Sequence, residues 1–254
     1  MTTAADHYDR LLAEHYTWML GGDIHAVASA QLELLRELGV RGDSDDAIAV
    51  DLGCGSGAQA LALARLGFAP VIAVDTSAAL LDELSARAAE LDSGHVVRPV
   101  HDDIRSALPQ VVEPGAAAAI VCMGDTLPHL PAEADVSDLV GDIARALRPG
   151  GQFVATYRDL TGELVGPDRF IPVRSAPDRI LTCFLDYVDD STVLVHDLLH
   201  VRSGDGWELA VSSYPKLRLH PEWLAEQCRA AGLDVRRDAP GPRGQRVLHV
   251  VKPA

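Results

Sequence analysis

Residues 50–57 read Val50-Asp51-Leu52-Gly53-Cys54-Gly55-Ser56-Gly57, and this stretch decides the fold. The apolar run from Ala47 to Asp51 predicts a short buried strand. Ala58 to Leu66 predicts a helix directly behind the glycines. Glycines between a strand end and a helix start let the backbone turn tightly and approach a ligand closely. The free amides of the helix then face an anionic or polar ligand. A plain βα turn would use the same residues, so the loop takes its meaning from its surroundings.

On the C-terminal side, strands and helices alternate. Val71 to Val74 is a second strand, Ala79 to Leu91 a helix and Val96 to Val100 a third strand. Ala117 to Met123 is a fourth strand, a helix lies near Val136 to Leu147, and Gln152 to Tyr157 is a fifth strand. Short apolar strands separated by helices predict a parallel sheet covered on both faces. Asp75 ends the second strand about twenty residues after the glycines, where a carboxylate can accept both hydroxyls of an adenosine ribose. Gly53, Gly55 and Ala58 also fit the loose dinucleotide fingerprint G-x-G-x-x-A, so an NAD(P)-dependent oxidoreductase is a competing reading. Asp51 argues against it. A carboxylate at the end of strand one welcomes an ammonium and repels a pyrophosphate.

Before the loop, His7 to Leu20 carries Tyr8, Leu11, Leu12, Tyr16 and Met19 at helical spacing, and Gly21-Gly22 stops it. Ile24 to Leu38 is a second helix. After Tyr157 the rhythm changes. Residues 158–176 read as a loop rich in Gly, Pro and charge. Four β-rich stretches then run from Arg179 to Leu219, with hairpin chemistry at Asp189-Asp190 and Gly204-Asp205-Gly206. Pro221 to Ala231 is a helix, and Leu233 to Arg237 and Val247 to Val251 are the last two strands. The chain thus divides into 1–157 (N-terminal helices and core), 158–220 (an antiparallel β insertion) and 221–254 (a helix and strands completing the core).

The 254 residues carry 37 acidic and 22 basic side chains, a formal net charge of −15. That excludes nucleic acid as an expected partner, which needs a basic footprint, and disfavours anionic membranes. Hydrophobic residues at 48% and charged residues at 23% are globular, not disordered, composition. The longest apolar run, Ala116 to Met123, falls short of the ~20 residues that span a bilayer, and the opening MTTAADHYDR is no signal peptide. Four cysteines without a C-x-x-C pair imply reduced thiols in a cytoplasm. His196 and His200 have helical metal-ligand spacing but lie in a strand pattern, so no metal is expected. Homo-oligomer formation is left open.

With these landmarks in place, the chain resembles the class I S-adenosylmethionine-dependent methyltransferases. Val50 to Gly57 looks like their first motif and Val74-Asp75 like their second. His101-Asp102-Asp103-Ile104 is similar to the end of their third strand, Ala119 to Asp125 to their fourth, and Leu147-Arg148-Pro149-Gly150-Gly151 to the turn before their fifth. The resemblance implies a Rossmann-like, doubly wound, seven-stranded α/β sheet. It also implies S-adenosyl-L-methionine as cofactor, S-adenosyl-L-homocysteine as product, and transfer to an N, O or C nucleophile. Carried over, Asp51 and the Gly53 backbone would hold the methionine ammonium, helped by the backbone near Cys122, and Gly55 and Gly57 would complete the cofactor-binding loop. Asp75 would bind the ribose. Asp103 would accept from the adenine amine, and the Ile104 amide would donate to the ring. Leu52, Thr76, Ile104 and Met123 would line the pocket.

The acceptor side is similar to the glycine N-methyltransferase-like branch. Asp125-Thr126-Leu127-Pro128-His129-Leu130-Pro131 resembles its His-Leu-Pro loop, Tyr157-Arg158-Asp159 its His-Arg-Asn, and Ser213-Tyr214-Pro215 its Tyr-Tyr-Pro. Tyr8, Tyr16 and Trp18 stand where that branch supplies aromatic residues over the cofactor. The resemblance thus implies His129, Tyr16 and Arg158 as catalytic residues, and Tyr8, Asp125, Tyr157 and Tyr214 around the acceptor. Asp125 replaces a neutral polar residue, and Asp159 could neutralise Arg158, which points away from glycine and toward another small-molecule acceptor in specialised metabolism. A cofactor-binding protein without transfer activity is the non-enzymatic alternative.

Overall fold

The glycine loop leaves strand β1 (Ile48–Leu52) at the centre of a seven-stranded sheet. The computed structural model describes His7, residues 11–91 and residues 93–254. In chain order the elements are α1 (Tyr16–Leu20), α2 (Ile24–Glu37), β1, α3 (Ala58–Arg65), β2 (Val71–Asp75), α4 (Ala78–Glu90), β3 (Val97–His101), α5 (Ile104–Val111), β4 (Ala117–Cys122), α6 (Glu133–Ala146) and β5 (Leu147–Arg158). There follow β6 (Phe170–Ser175), β7 (Arg179–Tyr187), β8 (Thr192–Ser203), β9 (Gly206–Leu217), α7 (Pro221–Ala230), β10 (Asp234–Pro240) and β11 (Gln245–Val251).

The main sheet runs β10-β11-β5-β4-β1-β2-β3. Its five N-terminal strands are parallel, while β11 is antiparallel to both β5 and β10. The sheet is therefore mixed. Strand alternation divides the core in two. Val50 and Leu52 face a layer holding Ile104, Leu108, Leu139, Ile143 and Leu224. Ala49 faces the other layer, with Leu35, Leu61, Leu63 and Leu84. Strands buried on both faces in this way lose the polar alternation of a half-exposed sheet. At ~25 cal/mol per Å2 of apolar surface, each fully buried leucine contributes roughly 1.5–3 kcal/mol. Among the described residues no helix is long and apolar enough to cross a membrane.

β6 to β9 form a second, antiparallel sheet with strands in chain order. Three features differ from the sequence reading. The stretch read as loop contains β6, an edge strand that accommodates Pro172 beside a register shift. The two stretches around Pro215 are one strand, β9, which also lies at an edge where a missing N–H costs no ladder bond. Helix α5 escapes the sequence reading because of Pro109. Proline near its end removes one amide, while Ile104, Ala107 and Leu108 dock on the sheet. The N-terminal run is not one α-helix either. Among its described residues, His7 is helical, Leu11 and Leu12 are π-helical, Ala13–His15 form a 3-10 turn, and α1 follows.

Candidate functional site

Three positive-φ glycines shape the loop after β1, and they do different things. A Cβ on Gly53 would sit 2.4 Å from the Thr126 side chain, and one on Gly55 would sit 2.7 Å from the Tyr16 hydroxyl. A Cβ on Gly57 would strike Leu84 at 2.2 Å. Gly57 therefore serves the packing of α3 on α4 rather than a ligand, and it lies on neither cavity wall described below. The Gly53 amide donates to the Val74 carbonyl at 2.9 Å. The Gly55 amide donates to Asp75 Oδ2 at 2.8 Å, and Asp75 Oδ1 accepts from the Ser77 amide at 2.9 Å. The carboxylate at the end of β2 thus holds the loop of β1.

A cavity of about 290 Å3 opens over this corner, walled by Gly53, Gly55, Asp75, Thr76, Asp103, Ile104 and His129. Sequence reading placed these residues together, and they are together. Asp103 also caps α5 through the Arg105 amide and holds the Arg105 guanidinium in a fork at 2.6–3.1 Å. That guanidinium keeps its carboxyl below the ordinary range. Asp51 is 1% exposed and lies on neither cavity wall. Neither of its oxygens has a hydrogen bond of good geometry among the described residues; the Ala60 amide lends only a weak pull. Burial, reinforced by the Asp75 charge, pushes it up to about 8. An orphaned buried carboxylate fits a cationic ligand group nearby.

A second cavity, about 510 Å3, shares Tyr16, Gly53 and Gly124 with the first. Its far wall comes from the insertion: Arg174, Asp197, Tyr214 and Lys216. Tyr214 meets the His129 ring edge-on at 5.4 Å, so one ring from each cavity closes the junction. Burial, then the Lys216 and His7 charges, hold His129 well below the ordinary histidine range. Burial and the Asp75 charge raise the Tyr16 hydroxyl above the ordinary phenol range, keeping it protonated.

Asp125 takes a left-handed φ of 82°. Its Oδ2 accepts from Lys216 Nζ at 2.5 Å and its Oδ1 from the Arg158 amide at 2.8 Å. Arg158 lines the second cavity and makes no ion pair with Asp159. Asp159 instead accepts from Thr161 and lies 3.9 Å from Arg246.

Several expected site residues lie elsewhere. Tyr157 is fully buried on the opposite face of β5, with Phe153 and Ala155, because side chains alternate along a strand. The Cys122 side chain points into the same layer, whereas the role implied for this residue belongs to its backbone. Trp18 packs beneath the Arg174 and Arg179 guanidinium groups, 5.5 and 5.4 Å away, and is off both walls. Met123 lines the second cavity, not the first. Tyr8 lies outside the described residues.

The sequence reading missed Lys216, Asp197 and His7. His7 Nε2 lies 2.8 Å from Asp197 Oδ2, the Cys183 thiol donates to Asp197 Oδ1 at 2.6 Å, and the His7 ring stacks on Tyr214 at 4.2 Å. One signal was available. Lys216 is one of two lysines in the chain, the other being Lys252.

Residues 49–151 match the family model described as a methyltransferase domain. A ribosomal protein L11 methyltransferase of Symbiobacterium thermophilum is 32% identical over 136 residues, 54% of this chain. The match takes in 39% of that relative's length. Among solved structures, the CcbJ methyltransferase of Streptomyces caelestis superposes with a TM-score of 0.73 at 21% identity, over 89% of this chain and 96% of that one. CalS10 of Micromonospora echinaspora, an amino pentose methyltransferase involved in calicheamicin biosynthesis, gives 0.72 at 18%, over 94% and 95%. DesVI of Streptomyces venezuelae gives 0.71 at 20%, over 98% and 99%. At these identities the likeness is one of fold. The domain match favours the methyltransferase reading of the glycine loop over the dinucleotide one. Residues 49–151 thus match a methyltransferase domain, and the chain as a whole shares the fold of solved S-adenosylmethionine-dependent methyltransferases.

Proposed function

We propose that this protein transfers a methyl group from S-adenosyl-L-methionine to a small-molecule acceptor, without a metal. The observation that carries the reading is the pair of adjoining cavities, one built on the glycine loop and the other on the insertion, with His129 and Tyr214 in contact where they meet. In-line displacement needs proximity and alignment above all, and adjoining cavities for donor and acceptor meet that need. The bound cofactor supplies a methyl group activated on a cationic sulfur.

The chain's residues divide the remaining work. Asp51 and the loop at Gly53 and Gly55 hold the ammonium end, Asp75 the ribose, and Asp103 with Ile104 the adenine. Tyr16 remains a hydroxyl donor at neutral pH because burial raises it. Burial also keeps His129 neutral, by lowering its pKa, and its ring offers an acceptor lone pair to the N–H or O–H of the incoming nucleophile. Tyr214 and the Asp125–Lys216 pair shape the acceptor's surroundings. A cavity of about 510 Å3 lies in the ordinary range for small ligands. The amino pentose enzyme among the fold relatives points the same way. A cytoplasmic enzyme with neither nucleic acid nor membrane as partner completes the proposal.

Calorimetry with S-adenosylmethionine and S-adenosylhomocysteine tests the cofactor half, and absence of binding at high micromolar concentration sinks it. Mass spectrometry over a panel of amine, hydroxyl and carbon acceptors tests the rest through the gain of one CH2. Cofactor binding without any turnover across the panel favours a non-catalytic binding protein instead.

A further inference from the structure

The second cavity is polarised by depth. Its two acids are each matched from within: Asp125 by Lys216, and Asp197 by His7 and the Cys183 thiol. All of Asp125, Asp197, Lys216 and Tyr214 are buried. At the more exposed end stand three arginines, Arg158, Arg174 and Arg243, and none has an ion-pair partner among the described residues. Other described arginines, such as Arg65 and Arg98, also lack an ion pair, but these three share the wall of one cavity. Among the described residues no carboxylate is paired with any of these three cations.

The three come from separate elements; Arg174 and Arg243 meet at one turn, and Arg158 joins them through Arg243. Arg158 ends β5, and its Nη1 lies 3.5 Å from the Arg243 carbonyl. Arg243 precedes β11 and reaches the Leu20 carbonyl with Nη1 at 3.5 Å. Arg174, on β6, rests against the glycines that follow Leu20. A Cβ on Gly21 or Gly22 would meet its guanidinium at 3.6 or 3.4 Å. Arg243 also takes a left-handed φ of 56°, uncommon for a residue with a Cβ. Such backbone is retained where the surroundings over-determine it, often at ligand clamps.

We propose that these arginines form a binding site for an anionic group on the acceptor, one with more than a single negative charge. A guanidinium presents a planar fork of donors that matches carboxylate and phosphate oxygens. Three such forks around one opening suit a phosphate or diphosphate ester, or a polycarboxylate. Locally positive walls in an acidic protein also concentrate anions at the mouth and fall in effect with salt. The acceptor is then held by its charged tail at the arginine end while its nucleophile lies at the buried end beside His129 and Tyr214. This assignment rests on the methyltransferase proposal for its biological meaning, although the anion site itself is testable alone.

The test titrates inorganic pyrophosphate, and separately tricarballylate, into the full chain by calorimetry, with and without saturating S-adenosylhomocysteine. The expected result is saturable binding of at least one anion, weakened about tenfold by Arg174→Gln and by Arg243→Gln and weakened further by added sodium chloride. Both substituted side chains are at least partly exposed, and unchanged S-adenosylhomocysteine affinity shows that the variants are folded. A response to pyrophosphate identifies a phosphate-bearing tail, and a response to tricarballylate alone identifies a carboxylate one. No saturable binding of either anion, or binding that both substitutions leave untouched, overturns the inference. Wild-type protein that binds an anion but not S-adenosylhomocysteine upholds the anion site and sinks the methyltransferase proposal instead.

Discussion

Lys216 Nζ lies 2.5 Å from Asp125 Oδ2, and both side chains are 9% exposed. The pair joins the last strand of the insertion to the loop after β4, 91 residues away in the chain. Asp125 is held from two further sides, by the Arg158 amide and through its own amide to the Thr156 carbonyl. The second sheet is therefore keyed to the main-sheet core through a buried charge pair, and an apolar surface alone would not fix that register.

Replacing one partner exposes the cost of burying the other. Lys216→Met leaves Asp125 as an uncompensated buried carboxylate and is expected to destabilise the protein by about 3–5 kcal/mol. Asn tolerates the left-handed backbone of Asp125, so adding Asp125→Asn to Lys216→Met should restore most of the loss. Urea unfolding of the three variants measures this, and a double variant no more stable than Lys216→Met refutes it.

Asp75 is expected to matter twice, as the anchor of Gly55 and Ser77 and as the ribose partner. Asp75→Ala should weaken S-adenosylmethionine binding at least tenfold, about 1.4 kcal/mol. An affinity within twofold of wild type would remove Asp75 from the cofactor site.

Proton release is the signature of Asp51. With its pKa pushed up to about 8, the free protein at neutral pH holds it mostly protonated. An ammonium placed beside it favours the carboxylate, so cofactor binding should expel close to one proton. Titrations in buffers of different ionisation enthalpy count that proton. Asp51→Asn should bind without release, and a wild-type enthalpy independent of buffer contradicts the role.

His129 makes stability depend on pH in a defined direction. Its folded pKa lies below the unfolded value of about 6.5, because burial and the Lys216 charge disfavour the imidazolium. Between those two values the unfolded chain binds the extra proton. The contribution of His129 is therefore complete above about pH 6.5 and is lost as pH falls below it. The difference in unfolding midpoint between wild type and His129→Gln, followed from neutral to mildly acidic pH, should shrink on acidification. A constant difference would show that His129 does not titrate in this way.

Most of the frame was legible because it is local. Strand–helix alternation, the glycines at the end of β1 and the acid at the end of β2 depend on near neighbours in the chain. Where the reading failed, a local rule met an exception. Pro172 and Pro215 sit on edge strands, and Pro109 near the end of α5, so proline did not break these elements. Tyr157 failed by one position: a strand's period of two sends Arg158 to the cavity and Tyr157 to the core.

By itself the sequence determined the Rossmann-like core and the glycine loop, because hydrophobic period and turn chemistry carry that information within a few residues. The grouping of Asp75, Asp103 and Ile104 around one cavity was implied by the family resemblance and is found in the structure. Only the tertiary structure decided which faces of distant elements meet: Lys216 against Asp125, His7 against Asp197, and Arg243 and Arg174 against the turn after Leu20. Those meetings depend on strand register and on the packing of segments up to 223 residues apart. No local pattern in the chain encodes them.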